Sequence, residues 1–203
     1  MNNAGVKKLA VFNDPILDRQ IEELVFHGKA GWRDEKGALS SAKPGGTSPT
    51  WTTFQGGISR WSFGPSTSAE ELNVDFHIQH DYVPGSLVYP HIHWQNNGVN
   101  TGVVRWGVEF SVAKGHGQEA FNGTTTVYLE QAADGTHQVT EFSDAQAFNT
   151  SIEPDSVVCV RVFRDGAHAN DTCSDSVFGL FVDLHYMAYR LATPNKAPSF
   201  YDL

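Results

Sequence analysis

The sequence predicts an all-β domain, an antiparallel jelly roll or β-sandwich preceded by a short N-terminal helix and carrying extended termini. Three observations lead there. Apolar and polar residues alternate strictly in several segments, as in Leu72-Asn73-Val74-Asp75-Phe76-His77-Ile78, the period of a strand with one dry face. Turn dipeptides Asn97-Gly98, Asp134-Gly135 and Asp165-Gly166 punctuate these segments, as hairpins require. Helical patterns do not alternate with the strands, which sets an α/β arrangement aside.

The elements follow in order. Asp14-Pro15 reads as a helix cap with proline in the first turn, and Leu17, Ile21, Leu24 and Val25 then share one helical face up to His27-Gly28. Residues 36–50, rich in Gly, Ser, Pro and Thr, read as a loop or linker. Strands are predicted at 72–78, at 87–94, and through Trp106, Val108, Phe110 and Val112. Two more, at 124–129 and 137–142, flank Asp134-Gly135. The last are 156–164 and a long aromatic strand at 178–189, placed centrally. The chain thus divides into an N-terminal arm (1–50), a β-domain (51–192) and a Pro-containing tail (193–203).

Composition narrows the function. A formal charge of −9, with Lys7-Lys8 as the only basic pair, leaves no basic face for nucleic acid. No apolar run reaches the roughly 18 residues that cross a bilayer, and the N-terminus lacks the apolar core of a signal peptide, so the chain is expected to fold in a cytoplasm. Charged residues make up 18%, a level that suits a surface partly covered by neighbouring subunits. The two cysteines, Cys159 and Cys173, form no CxxC pair, and Cys159, inside an apolar strand, is expected to be buried.

The most distinctive segment is residues 80–94, His-Asp-Tyr-Val-Pro-Gly-Ser-Leu-Val-Tyr-Pro-His-Ile-His-Trp. His91 and His93, two apart on a strand, share one face, while Val88, Ile92 and Trp94 share the other. Two adjacent imidazoles suit a transition metal. Gly85-x5-His91-x-His93 matches the opening of the first cupin motif, but Gln95 to Gly98 replace its glutamate and the second motif has no counterpart. A three-fold axis through a trimer would instead gather six imidazole nitrogens. The plainer reading makes His80, His91, His93 and His185 structural, oriented by Asp81 and Asp183, with no resident cofactor.

Other chemistry is thin. Asp183-x-His185 lacks a serine in a nucleophile elbow, no phosphate-binding glycine loop exists, and Glu70-Glu71 reads as a solvated edge. Trp94 and Trp106 fall on core faces. Trp32, Trp51 and Trp61 lie near loops and are candidates for ligand or partner contacts, including glycan stacking.

From Leu72 to Phe110 the sequence resembles a family of tailed-phage virion structural proteins. His80-Asp81-Tyr82, Pro84-Gly85-Ser86, Pro90-His91-Ile92-His93-Trp94 and Gly102 to Phe110 carry the likeness. Asn170-Asp171-Thr172 and Asp183-Leu184-His185-Tyr186 fit the same layout. The resemblance implies a non-enzymatic virion subunit of capsid decoration, head fibre or tail, made in the host cytoplasm. Such a subunit would associate with itself, as a trimer by analogy of fold, and with other virion proteins. Two alternatives stand beside it: a virion receptor- or glycan-binding module, and a cupin-like metal-dependent enzyme.

Overall fold

The structure, a computed structural model, describes residues 30–83, 85–115, 119–121, 123–143 and 152–189. The expected helix at 14–28 and the tail at 193–203 lie outside the described residues. Eleven strands are present among those described: β1 (Ala30–Ala38), β2 (Lys43–Pro44), β3 (Thr50–Gln55), β4 (Ile58–Phe63), β5 (Ser68–His77), β6 (Val88–Asn96), β7 (Val103–Ala113), β8 (Thr125–Ala132), β9 (Gln138–Glu141), β10 (Val157–Asp165) and β11 (Val177–Tyr189). No helix among the described residues is long and apolar enough to cross a membrane.

The strands form two antiparallel sheets, a sandwich of jelly-roll type. One sheet runs β3-β4-β11-β6-β9, with β1 beside β11; the other runs β2-β5-β10-β7-β8. The order has a simple origin. β4 neighbours β11, β5 neighbours β10, β6 neighbours β9 and β7 neighbours β8. The chain is therefore one long antiparallel double strand that turns between β7 and β8 and winds so that successive pairs fall in alternate sheets.

Alternation decides what each strand buries. Leu72 and Phe76 of β5, Val158, Val160 and Val162 of β10, and Val104, Trp106, Val108 and Phe110 of β7 face inward from one sheet. Val88, Ile92 and Trp94 of β6 with Val182, Leu184, Tyr186 and Ala188 of β11 meet them from the other. Trp94 and Trp106 are fully buried, with ring centroids 6.1 Å apart. The indole N–H of Trp94 donates to Thr140 Oγ1 at 2.7 Å, so its burial strands no donor.

The same alternation corrects one expectation. Cys159 is exposed, because it is in phase with Arg161 on the outer side of β10; Cys173 is the buried cysteine, and both are free thiols. The apolar flavour of β10 comes from the valines on either side of Cys159 rather than from its own position.

The expected linker at 36–50 is partly structured. Its first residues complete β1, which pairs with β11 from Ala30↔Tyr189 to Ala38↔Phe181. A 3-10 turn at Leu39–Ser41 buries Leu39, and Lys43-Pro44 joins β5. Glycine and serine content signalled turns here, but backbone pairing with an open edge needs no hydrophobic pattern to announce it. Gly107 shows a different use of glycine: a Cβ there would meet the Phe163 ring at 2.2 Å. Phe163, the cross-strand partner of Gly107, puts the tip of its ring into that gap beneath Arg161, whose guanidinium carbon is 4.4 Å from the ring centre.

Candidate histidine–carboxylate site

The outer face of the six-stranded sheet carries a polar cluster built by strand register. Asp34 of β1 pairs with His185 of β11, which pairs with Tyr89 of β6; one step along, Asp183 pairs with His91, which pairs with Glu141 of β9. His93 lies next along β6. Because Ile92 and Trp94 fill the core, His91 and His93 must point out. Because Val182 and Leu184 fill it, so must Asp183 and His185.

Facing outward does not leave these groups wet. His91 is only 1% exposed and Asp183 only 4%. The His185 ring lies 4.1 Å from that of His91, and Trp32 packs edge-on against Tyr89 and His185. Asp183 is held from behind: the Gly37 N–H donates to Oδ1 at 3.2 Å. Its other oxygen, Oδ2, lies 3.5 Å from His91 Nε2 and 3.4 Å from His93 Nε2, and the two Nε2 atoms are 3.1 Å apart. Burial alone would raise the Asp183 pKa, but hydrogen bonds and charge from His91 and His93 outweigh it and hold the carboxyl at about 2.

Each remaining ring nitrogen has a distinct setting. His93 Nδ1 meets His137 Nε2 at 2.9 Å. Burial, with His93 nearby, pushes the His137 pKa down, which favours a neutral ring hydrogen-bonded to His93. His91 Nδ1 is buried without a hydrogen-bond partner. His185 is different again. Burial would lower its pKa, but Asp34 at Nε2 and Glu141, 3.7 Å from Nδ1, raise it to about 9, so it is an imidazolium at neutral pH.

The residues expected to form one structural group divide into three places. His185 and Asp183 join His91 and His93. His80 instead lies 3.1 Å from Asp155, which also binds His77 at 3.2 Å. Asp81 accepts the Tyr186 hydroxyl at 3.0 Å and pairs with Arg33, tying the loop after β5 to β11. The separation has a geometric cause, since β5 belongs to the opposite sheet and carries His80 and Asp81 only as it leaves it.

Glu70 and Glu71 are not a paired-carboxylate site: Glu70 accepts the Gly64 N–H, while Glu71 binds Arg161. The tryptophans also separate. Trp32 covers the histidine cluster, whereas Trp51 and Trp61 sit on the paired β3–β4 edge with rings 5.1 Å apart, and Trp51 is 46% exposed. Asp34, Glu141 and His137 have no sequence signal of their own as site members. They reach the cluster through pairing between strands that the alternation of any one strand does not specify.

The fold and cluster together define a jelly-roll sandwich with a histidine–carboxylate centre on one outer face. No protein-family profile matches the chain, and no curated protein matches it. Among solved structures, the chain is similar to a family 35 carbohydrate-binding module from Cellvibrio japonicus Abf62. The identity is 11%, 79% of this chain and 99% of that one are covered, and the TM-score is 0.39. It is also similar to a family 30 carbohydrate-binding module of a Clostridium thermocellum cellulosomal cellulase (13%, 75% and 96%, TM-score 0.40). A third similarity is to a protein of infectious bursal disease virus Gx strain (12%, 82% and 34%, TM-score 0.36). At such scores the comparisons carry nothing about function.

Proposed function

We propose that this chain is a non-catalytic bacteriophage virion subunit that assembles with copies of itself, as a trimer, and attaches to other proteins of the particle. The carrying observation is a row of large apolar side chains on the outer face of the six-stranded sheet. Val139 and Phe181 are each the register partner of His93, on opposite sides of it. They are 44% and 38% exposed, and Tyr189 is exposed farther along the same face of β11. Strands lie about 4.8 Å apart, so Val139 and Phe181 flank His93 in one line across three strands. Exposed apolar strips of this kind mark surfaces that other chains cover. The Pro90-to-Trp94 likeness to phage structural proteins supports the same reading.

Light scattering coupled to size exclusion tests it. The wild-type chain elutes at three times its chain mass, and Phe181→Asp with Val139→Asp returns it to one. A wild-type protein that stays monomeric at every soluble concentration would defeat the assembly reading.

A second reading is favoured by one observation of its own. The exposed Trp51 ring, backed edge-on by Trp61, offers an aromatic surface of the kind on which sugar rings stack. In that reading the subunit is a glycan-binding module of the particle.

A further inference from the structure

We propose that His91, His93 and Asp183 form a mononuclear binding site for a divalent transition metal of the zinc type, three-coordinate from the protein and with a fourth position open. This goes beyond the assembly role and does not depend on it.

The geometry is the main argument. Three donor atoms, Nε2 of His91, Nε2 of His93 and Oδ2 of Asp183, form a nearly equilateral triangle with sides of 3.1, 3.5 and 3.4 Å. Zinc binds such donors at roughly 2.0–2.2 Å, and a tetrahedral angle at that length separates donors by about 3.3–3.4 Å. An octahedral ion of the same radius would draw neighbouring donors to about 2.9–3.0 Å. The two sides that meet at Asp183 Oδ2 have tetrahedral dimensions, and the third, between the imidazoles, is shorter. Two imidazoles and one carboxylate favour a borderline transition metal over magnesium or calcium, which take oxygen donors.

The surroundings prepare the donors. Nδ1 of His93 is engaged by His137 at 2.9 Å, which holds the ring with Nε2 toward Asp183 and His91, and Gly37 fixes the far oxygen of Asp183 so that Oδ2 faces the imidazoles. Outer hydrogen bonds of this kind orient ligands at metal sites. His91 supplies a separate observation: its side chain is nearly fully buried, yet Nδ1 has no partner. Nε2, the nitrogen turned toward His93 and Asp183, is therefore the one through which this buried imidazole can bind an ion.

Asp34, His91 and His185 make a second, overlapping group. There His185 lies between Asp34 and Glu141, whose carboxylates face both of its ring nitrogens, so its donors are engaged where those of His93 and Asp183 face one another. His93 is 23% exposed along its side chain while His91 and Asp183 are almost closed off, so the open position faces solvent on the His93 side.

The test uses the full chain, stripped with chelator and then freed of it. Zinc titration by calorimetry should show one ion per chain. Cobalt(II) should give the intense visible absorption of a tetrahedral centre, and zinc should abolish it. His93→Ala and Asp183→Asn should weaken zinc binding at least about 100-fold. His137→Ala should weaken it by about 10–100-fold, as loss of an outer-shell partner does, and His80→Ala should leave it unchanged. Circular dichroism establishes that each variant is folded, and Asp183→Asn keeps the side-chain volume should His93→Ala fail to fold. Absence of stoichiometric zinc binding to the folded wild type would overturn the proposal. So would a pale octahedral cobalt spectrum, or equal affinity in wild type, His93→Ala and Asp183→Asn.

Discussion

Replacing Asp171 with alanine should destabilise the domain severely although Asp171 lies outside every strand. Asp171 and Arg164 form an ion pair in which both side chains are fully buried. Arg164 uses all five of its N–H groups: Nε and Nη2 bind the two oxygens of Asp171 at 2.9 and 2.7 Å. The other three reach the carbonyls of Cys173 at 2.6 Å, Asp175 at 2.7 Å and Phe63 at 3.2 Å. Asp171 Oδ2 also accepts the backbone N–H of Arg105 at 3.0 Å. The pair therefore fastens the β10–β11 connection to β4, β7 and β10 at one end of the sandwich.

Asp171→Ala removes two charge-assisted hydrogen bonds, each worth roughly 1.5–3 kcal/mol, and strands one backbone donor. Breaking a buried pair by losing one partner costs about 3–5 kcal/mol, the lower part of the range those losses span. A domain of this size loses about 2–4 °C of melting temperature per kcal/mol, so the expected fall is roughly 6–20 °C by circular dichroism. Arg164→Met with Asp171→Ala should recover part of the loss, because no charge is then left buried alone. It should not recover all of it, since three carbonyls lose their donor. A single Asp171→Ala variant within about 1 kcal/mol of wild type would refute the account of this connection as a buried clamp.

Two further outcomes follow from the same geometry. Hydrogen bonding from Thr124, then from Arg161 at 2.6 Å, holds the Glu109 carboxyl below its usual range. Its stabilisation is therefore complete above the unfolded-state value of about 4.3 and disappears as pH falls through the lower folded-state value. The stability gap between wild type and Glu109→Gln, at most about 1 kcal/mol for so accessible a pair, should be present at pH 7 and close in acid; a gap unchanged down to pH 3 would contradict the assignment. For the glycan reading, Trp51→Ala should lower affinity for any oligosaccharide retained on a glycan array by at least tenfold while leaving the melting curve nearly unchanged. An unaltered array profile would remove Trp51 from that role.

The sequence makes the faces of individual strands legible and leaves the pairings between them mostly dark. Leu72 to Ile78 and Trp106 to Val112 announce their inward sides because an apolar residue every second position has one physical use. The same rule separates His91 and His93 from Ile92 and Trp94, so half of the candidate site was readable. The carboxylate that completes it was readable as a residue but not as a partner. Asp183 stands 90 positions beyond His93, and only the winding of the double strand sets β11 beside β6. Cys159 shows the opposite failure, where a run of valines obscured the phase. The buried pairing of Arg164 with Asp171 gave no signal, since a charged residue at the end of a valine-rich strand reads as solvated.

The histidine strand is best understood as a division of labour imposed by alternation. Every second residue from Val88 to Trp94 is committed to the core, where a substitution costs packing, so sequence at those positions is explained by the fold. The intervening Tyr89, His91 and His93 face away from that core, and a jelly roll gains nothing from imidazole there. A buried His91 with an orphaned nitrogen, beside a carboxylate held ionised, is an arrangement that a purely structural face would replace with Thr or Val at lower cost. The polar half of the strand therefore has to be accounted for by something the sandwich does not itself require. The proposed cation site, with Val139 and Phe181 on either side of His93 as the proposed contact with a neighbouring subunit, would account for both its chemistry and its position.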